Sequence, residues 1–245
     1  MRDQYPAMLI ASHLWCCTFQ ELHETRQNCA PVIAQVVTAA GLFFEQLMLG
    51  SIDIVEGRVE VLDPLLPLRL PRHRHATDSE LEWRRQVRLG REDELFLERR
   101  SYIQQSRLVH LRQWLPVFTT DSCDKVEQRL LKADKARYLR SGLLRQQVVV
   151  PASDWRLAPA RALASVLKQT RTPGQPGAAV IQQWHVAMLA LLKITRISED
   201  VFDDLDPAAL ARMEHIVKGG LASWPAARQL IAETTAFMKA NAFAH

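Results

Sequence analysis

The sequence predicts a mainly α protein: a compact multi-helix domain carrying one or two short β-hairpins. Three observations carry that expectation. Long apolar runs such as Ala30 to Gly50 exceed strand length, proline and glycine fall at their ends, and strict alternation is confined to short stretches such as Ile52 to Leu62. At 245 residues with 48% apolar and 24% charged side chains, the chain has ordinary globular composition and can bury its own core. A single domain over 1–245 is expected, with connectors at 64–77 and 172–177.

Ala30 to Gly50 reads as the central buried helix. Pro31 suits the first turn, where its missing N–H costs nothing, and Gly50 suits the exit. Gln35, Glu45 and Gln46 interrupt the run and argue for a core helix over a membrane span. Ala7 to Phe19 is an apolar stretch after Arg2, but Asp3, His13 and the lack of a small-residue cleavage site oppose a signal peptide. Ile52 to Leu62 alternates around Glu56-Gly57 and predicts a tight hairpin.

Leu65 to Ala76 holds Pro67, Pro71 and the run Arg72 to His75 and reads as a connector. Charged helical segments follow from Asp78 to Trp114. Thr119 to Ser122 offers capping oxygens for a helix expected to run to about Ser141 and to stop at Gly142. Leu143 to Val150 reads as a strand ending at Pro151, with Trp155 and Arg156 as its return. Ala158 to Thr170 and Ala178 to Thr195 read as helices. Asp206-Pro207 opens another, closed by Gly219-Gly220, and Ser223-Trp-Pro225 opens the last.

Charge is unevenly placed. Residues 1–68 carry 3 basic and 8 acidic side chains, whereas 125–171 carry 11 basic and 3 acidic ones. A local basic surface attracts the phosphates of lipid or nucleic acid. Four cysteines without paired spacing, two of them adjacent, read as reduced thiols of a cytoplasmic protein.

Catalytic motifs are missing from the sequence: there is no Gly-x-Ser-x-Gly elbow, no Gly-x-Gly-x-x-Gly turn and no phosphate loop. The expectation is therefore no catalytic residues, no cofactor and no metal. The strongest metal set, His13, Cys16 or Cys17, His23 and Cys29, reads better as core side chains. Asp200, Asp203, Asp204 and Asp206 read as helix-capping residues. The six tryptophans are scattered, and only Trp155 beside Arg156 lies near the basic segment.

The run Thr38 to Pro64 (Thr-Ala-Ala-Gly-Leu-Phe-Phe-Glu-Gln-Leu-Met-Leu-Gly, then the alternating hairpin and Asp63-Pro64) resembles the Golgi phosphoprotein 3 family. Trp114-Leu, Tyr138 to Arg145, Val186 to Leu192 and Arg212 extend the resemblance over roughly 5–240. It implies a helical fold with a projecting hairpin, self-association into homo-oligomers and peripheral membrane association. Eukaryotic members read phosphatidylinositol 4-phosphate and act as adaptors that sort glycosyltransferases.

The family's pocket uses a tryptophan, an arginine and a later pair of arginines. Those places fall near Ala30, Ala39, Asp124 and Glu127 here, so none is carried over. What remains is an anionic-headgroup surface expected from Arg129, Lys132, Lys135, Arg137, Arg140 and Arg145. Two other classes stay open: a winged-helix-like nucleic-acid binder, suggested by helix followed by hairpin, and an enzyme assembled from unremarkable residues.

Overall fold

The computed structural model describes residues 9–19, 29–62, 91–141, 146–168 and 182–242. Both expected connectors lie outside the described residues. The fold is mainly α with two small antiparallel two-stranded sheets.

Helix α2, Pro31–Met48, is the axis of the core. It is the described helix long and apolar enough to cross a membrane, yet it lies buried among its neighbours from Val36 onward. The chain leaves it through Gly50, whose φ of 66° lets the Ser51 and Gly50 amides turn back onto the Gln46 and Leu47 carbonyls. Helix α1, Ile10–Cys17, packs along α2 so closely that a Cβ on Gly41 would stand 2.8 Å from the Ala11 Cα.

Strands β1, Ile52–Val55, and β2, Arg58–Val61, form the expected hairpin, with Ile52 opposite Val61. Glu56 and Gly57 both have positive φ, 51° and 75°, the pattern of a two-residue primed turn. The resemblance implies a projecting hairpin, but this one is fastened down. Ile52 and Ile54 are buried, the Val59 amide donates to the Val109 carbonyl, the Leu111 amide donates to the Gly57 carbonyl, and the Gly57 amide donates to Gln229 Oε1 at 2.7 Å.

Next come α3, Glu94–Gln105, capped by Asp93, and α4, Leu111–Thr119. Helix α5 spans Ser122–Lys132, and here the sequence expectation needs correction: the chain does not stay helical to Ser141. Asp134 adopts a φ of 55°. The Lys135 and Asp134 amides then close onto the Leu130 and Leu131 carbonyls, the same exit that Gly50 makes. Residues Ala136–Ser141 become β3, paired antiparallel with β4, Gln146–Pro151. A second correction follows: Trp155 and Arg156 are no return strand but part of the short helix α6, Ser153–Arg156.

Helices α7, Ala158–Lys168, α8, Gln183–Ile194, and α9, Ile197–Val201, lead to α10, Pro207–Ala222, and α11, Pro225–Ala242. Asp206 caps α10 by accepting from the Ala209 amide at 2.6 Å. Gly219 and Gly220 lie inside α10 and do not end it. One contiguous apolar cluster runs from Ile10 in α1 to Leu230 in α11.

Candidate functional site

The basic segment divides into a buried part and an exposed part. Arg129 belongs to the first. It is 7% exposed, and its guanidinium grips the Glu45 carboxylate with two bonds, at 3.1 and 2.9 Å. The same group donates to Asp93 at 2.6 Å and to Ser12 at 3.4 Å. Glu45 also accepts from the Ala11 amide at 2.8 Å. Burial pushes the Glu45 carboxyl up from its ordinary value, while Arg129 and the Ala11 amide oppose that shift. Arg129 therefore ties α1, α2, α3 and α5 together, and its burial removes it from the headgroup set.

Beside Arg129, a groove of about 320 Å³ opens between α3 and α5, lined by Asp93, Glu94, Glu98, Lys125, Arg129 and Lys132. Its cations meet carboxylates: Lys125 lies 2.9 Å from Glu98, Lys132 pairs with Glu94, and Arg129 pairs with Asp93. An incoming anion has to displace a carboxylate at each of them. Lys132 is well exposed but charge-matched.

Lys135 follows the helix exit and stands 4.9 Å over the Trp155 ring. His13 also stacks on that ring, with centroids 5.9 Å apart and planes nearly parallel. Burial, reinforced by Arg129, lowers the His13 pKa to about 4. His185, stacked on Trp184 at 3.9 Å, is also lowered to about 4 by burial. His13 also approaches the Trp184 ring, at 6.3 Å, so the two histidines and two tryptophans form one cluster.

On the β3–β4 ribbon, burial falls away from base to tip. Ala136 and Val150 are buried, whereas Arg137, Tyr138 and Arg140 are exposed, Tyr138 by 59%. Arg140 has no carboxylate partner among the described residues. Arg145 lies outside them. The exposed members of the sequence-predicted set are thus Lys132 on the helix and Arg137 and Arg140 on the ribbon, with Lys135 half-buried between them.

Tyr138 was not among the expected contact residues; in the strand it shares a face with Arg140, two residues on. Glu45 and Asp93 were also missed, since nothing local ties them to Arg129.

The sequence's metal set is dispersed. His13 stacks on Trp155, Cys16 and Cys17 are sealed in the core with thiols pushed up by burial, Cys29 is partly buried against the core, and His23 lies outside the described residues. Among the described residues, no group of three or more His, Cys, Asp or Glu side chains is arranged to hold a metal ion. No protein-family model matches the chain, and a search of curated proteins finds no match.

Proposed function

We propose that this protein is a non-enzymatic, cytoplasmic peripheral membrane protein that docks on anionic phospholipid headgroups through the β3–β4 ribbon and serves there as an adaptor. The observation that supports this reading is the exposed triplet Arg137, Tyr138 and Arg140 on a ribbon whose base is anchored in the core. The exposed Arg140 guanidinium offers forked donors to phosphate oxygens. Tyr138, two residues before Arg140 and on the same face of the strand, has the amphipathic ring that favours the headgroup level. Lys135 adds positive potential close to the ribbon's base, whereas the charge of Lys132 is matched by Glu94.

The family's phosphoinositide pocket is not part of this reading. The places that would form it carry Ala30, Ala39, Asp124 and Glu127, so attraction to negative surface charge replaces recognition of a single headgroup. The test is flotation of the full chain with neutral and with acidic liposomes at low salt. Binding is expected only to the acidic ones, and Arg137→Glu with Arg140→Glu lowers it at least about tenfold. A shift of duplex DNA that vanishes in the same double variant, without flotation, would replace this reading with the nucleic-acid one.

A further inference from the structure

Away from the ribbon, the groove between α3 and α5 has two walls of opposite charge. On the α3 side, Asp93 at the cap and Glu94 and Glu98 in the first two turns supply three carboxylates. On α5, Lys125, Arg129 and Lys132 recur at the spacing that puts them on one helix face, and the exposed Gln128 amide joins them along the groove.

The pairs across the groove differ in how firmly they are shut. Arg129 is buried and fixed by its two bonds to Glu45. Its bond to Asp93 uses Oδ1, the oxygen that also accepts from the Phe96 amide at 2.9 Å, so Oδ2 takes no bond among the described residues. Lys132 and Glu94 are the opposite case. Their side chains are 69% and 80% exposed, so water competes for both charges and opening the pair costs little. Lys125 and Glu98 lie between these extremes.

A simple anion that enters gains a cation but leaves a carboxylate unpaired, and a simple cation does the reverse. Paired walls therefore select against both, whereas a ligand carrying both charges replaces each lost partner. A primary ammonium has three N–H donors and no acceptor, which suits a wall of three carboxylates. A phosphate presents several acceptor oxygens, which suits two lysines and an amide. The volume, about 320 Å³, falls at the small end of the range for ligand sites.

We propose that this groove binds a small zwitterion of the phosphoethanolamine class, its ammonium against Asp93, Glu94 and Glu98 and its phosphate against Lys125, Gln128 and Lys132. The exposed Lys132–Glu94 pair opens to admit it, while Arg129 stays on Glu45. The ribbon attracts net negative charge, but this groove is charge-balanced and reads the two charges together. The same chemistry occurs in the free molecule and in the headgroup of phosphatidylethanolamine.

The experiment titrates the full chain calorimetrically with O-phosphoethanolamine at low salt. One site per chain is expected, with ethanolamine and inorganic phosphate each weaker by at least about tenfold. Glu94→Gln with Lys132→Gln should lose a similar factor without a change in Tm, because both side chains are largely in water. Glu98→Gln alone should weaken binding severalfold. Flotation separates the two sources, using acidic liposomes of fixed charge whose neutral lipid is either phosphatidylethanolamine or phosphatidylcholine. A preference for ethanolamine that the double variant loses assigns a lipid headgroup, since the quaternary ammonium of choline has no N–H to donate. Equal flotation beside calorimetric binding assigns the free molecule. Inorganic phosphate or ethanolamine binding as tightly as O-phosphoethanolamine, unchanged affinity in the variants, or no heat at millimolar ligand overturns the proposal.

Discussion

Glu45 and Arg129, 84 residues apart in the chain, meet as a two-bond ion pair inside the core, with both side chains at most 5% exposed. A pair so deeply buried is costly to break from one side, because the surviving charge has no water to return to. Arg129→Met strands the Glu45 carboxylate against the Ala11 amide alone and should cost roughly 3–5 kcal/mol. Glu45→Gln combined with Arg129→Met removes both charges and should recover more than half of that loss. Urea unfolding of these two variants and of Glu45→Gln alone measures it, and strictly additive losses would show that the pair is not coupled.

The first hairpin depends on a backbone conformation more than on contacts. Gly57 has a φ of 75°, and nothing lies within 4 Å of a Cβ built there, so any penalty for a side chain is conformational and not steric crowding. Gly57→Val should destabilise by about 1–2 kcal/mol. Ile52 and Ile54 would remain buried. An unchanged thermal midpoint would mean that the turn relaxes without disturbing the bonds to Gln229 and Leu111.

These two sites also show what could be read in advance. Gly50 and the Glu56-Gly57 turn announce themselves because glycine is the usual residue at positive φ. The exit of α5 uses the same hydrogen-bonding motif, but Asp134 occupies the left-handed position, so the helix was read as continuing and Arg137 and Arg140 were placed on it. Asp206 was legible as a cap since its partner lies three residues away. Arg129 was assigned to the surface because a cation in a basic run says nothing of carboxylates that only the fold delivers, Glu45 from α2 and Asp93 from the start of α3.

Two buried titrations act against each other in mild acid. His13 falls from 6.5 to about 4 on folding, through burial first and Arg129 second. The unfolded chain then binds a proton that the folded one does not, so this contribution, on the order of 3 kcal/mol, is intact above pH 6.5 and is lost as pH falls toward 4. Glu127 runs the other way: burial, with Asp124, raises it from 4.5 to about 7, and its contribution is present below 4.5 and lost as pH rises through 7. Unfolding midpoints from pH 4 to 8 should show His13→Phe flattening the acid limb, with Trp155 still stacked. Glu127→Gln should raise stability at pH 8 and leave it unchanged at pH 4. The opposite pattern would reverse the protonation states argued for both.

Membrane docking through the ribbon carries its own signature. Each cation well placed near an acidic surface contributes about 1 kcal/mol, and that share shrinks as salt shortens the screening length to about 8 Å at physiological strength. Arg137→Glu with Arg140→Glu should therefore weaken binding and flatten its salt dependence. Tyr138→Ala should weaken it too, yet preserve the salt slope, because its contribution is insertion of a ring and not charge. Lys132→Glu serves as the contrast, since Glu94 already offsets the lysine and the variant should lose less than Arg140→Glu alone. Liposomes of equal negative charge built from different acidic lipids should bind alike. Absence of flotation at low salt, or full binding by the double arginine variant, would sink the docking surface. Strong preference for one headgroup at constant charge would instead point to a pocket that the ribbon does not provide.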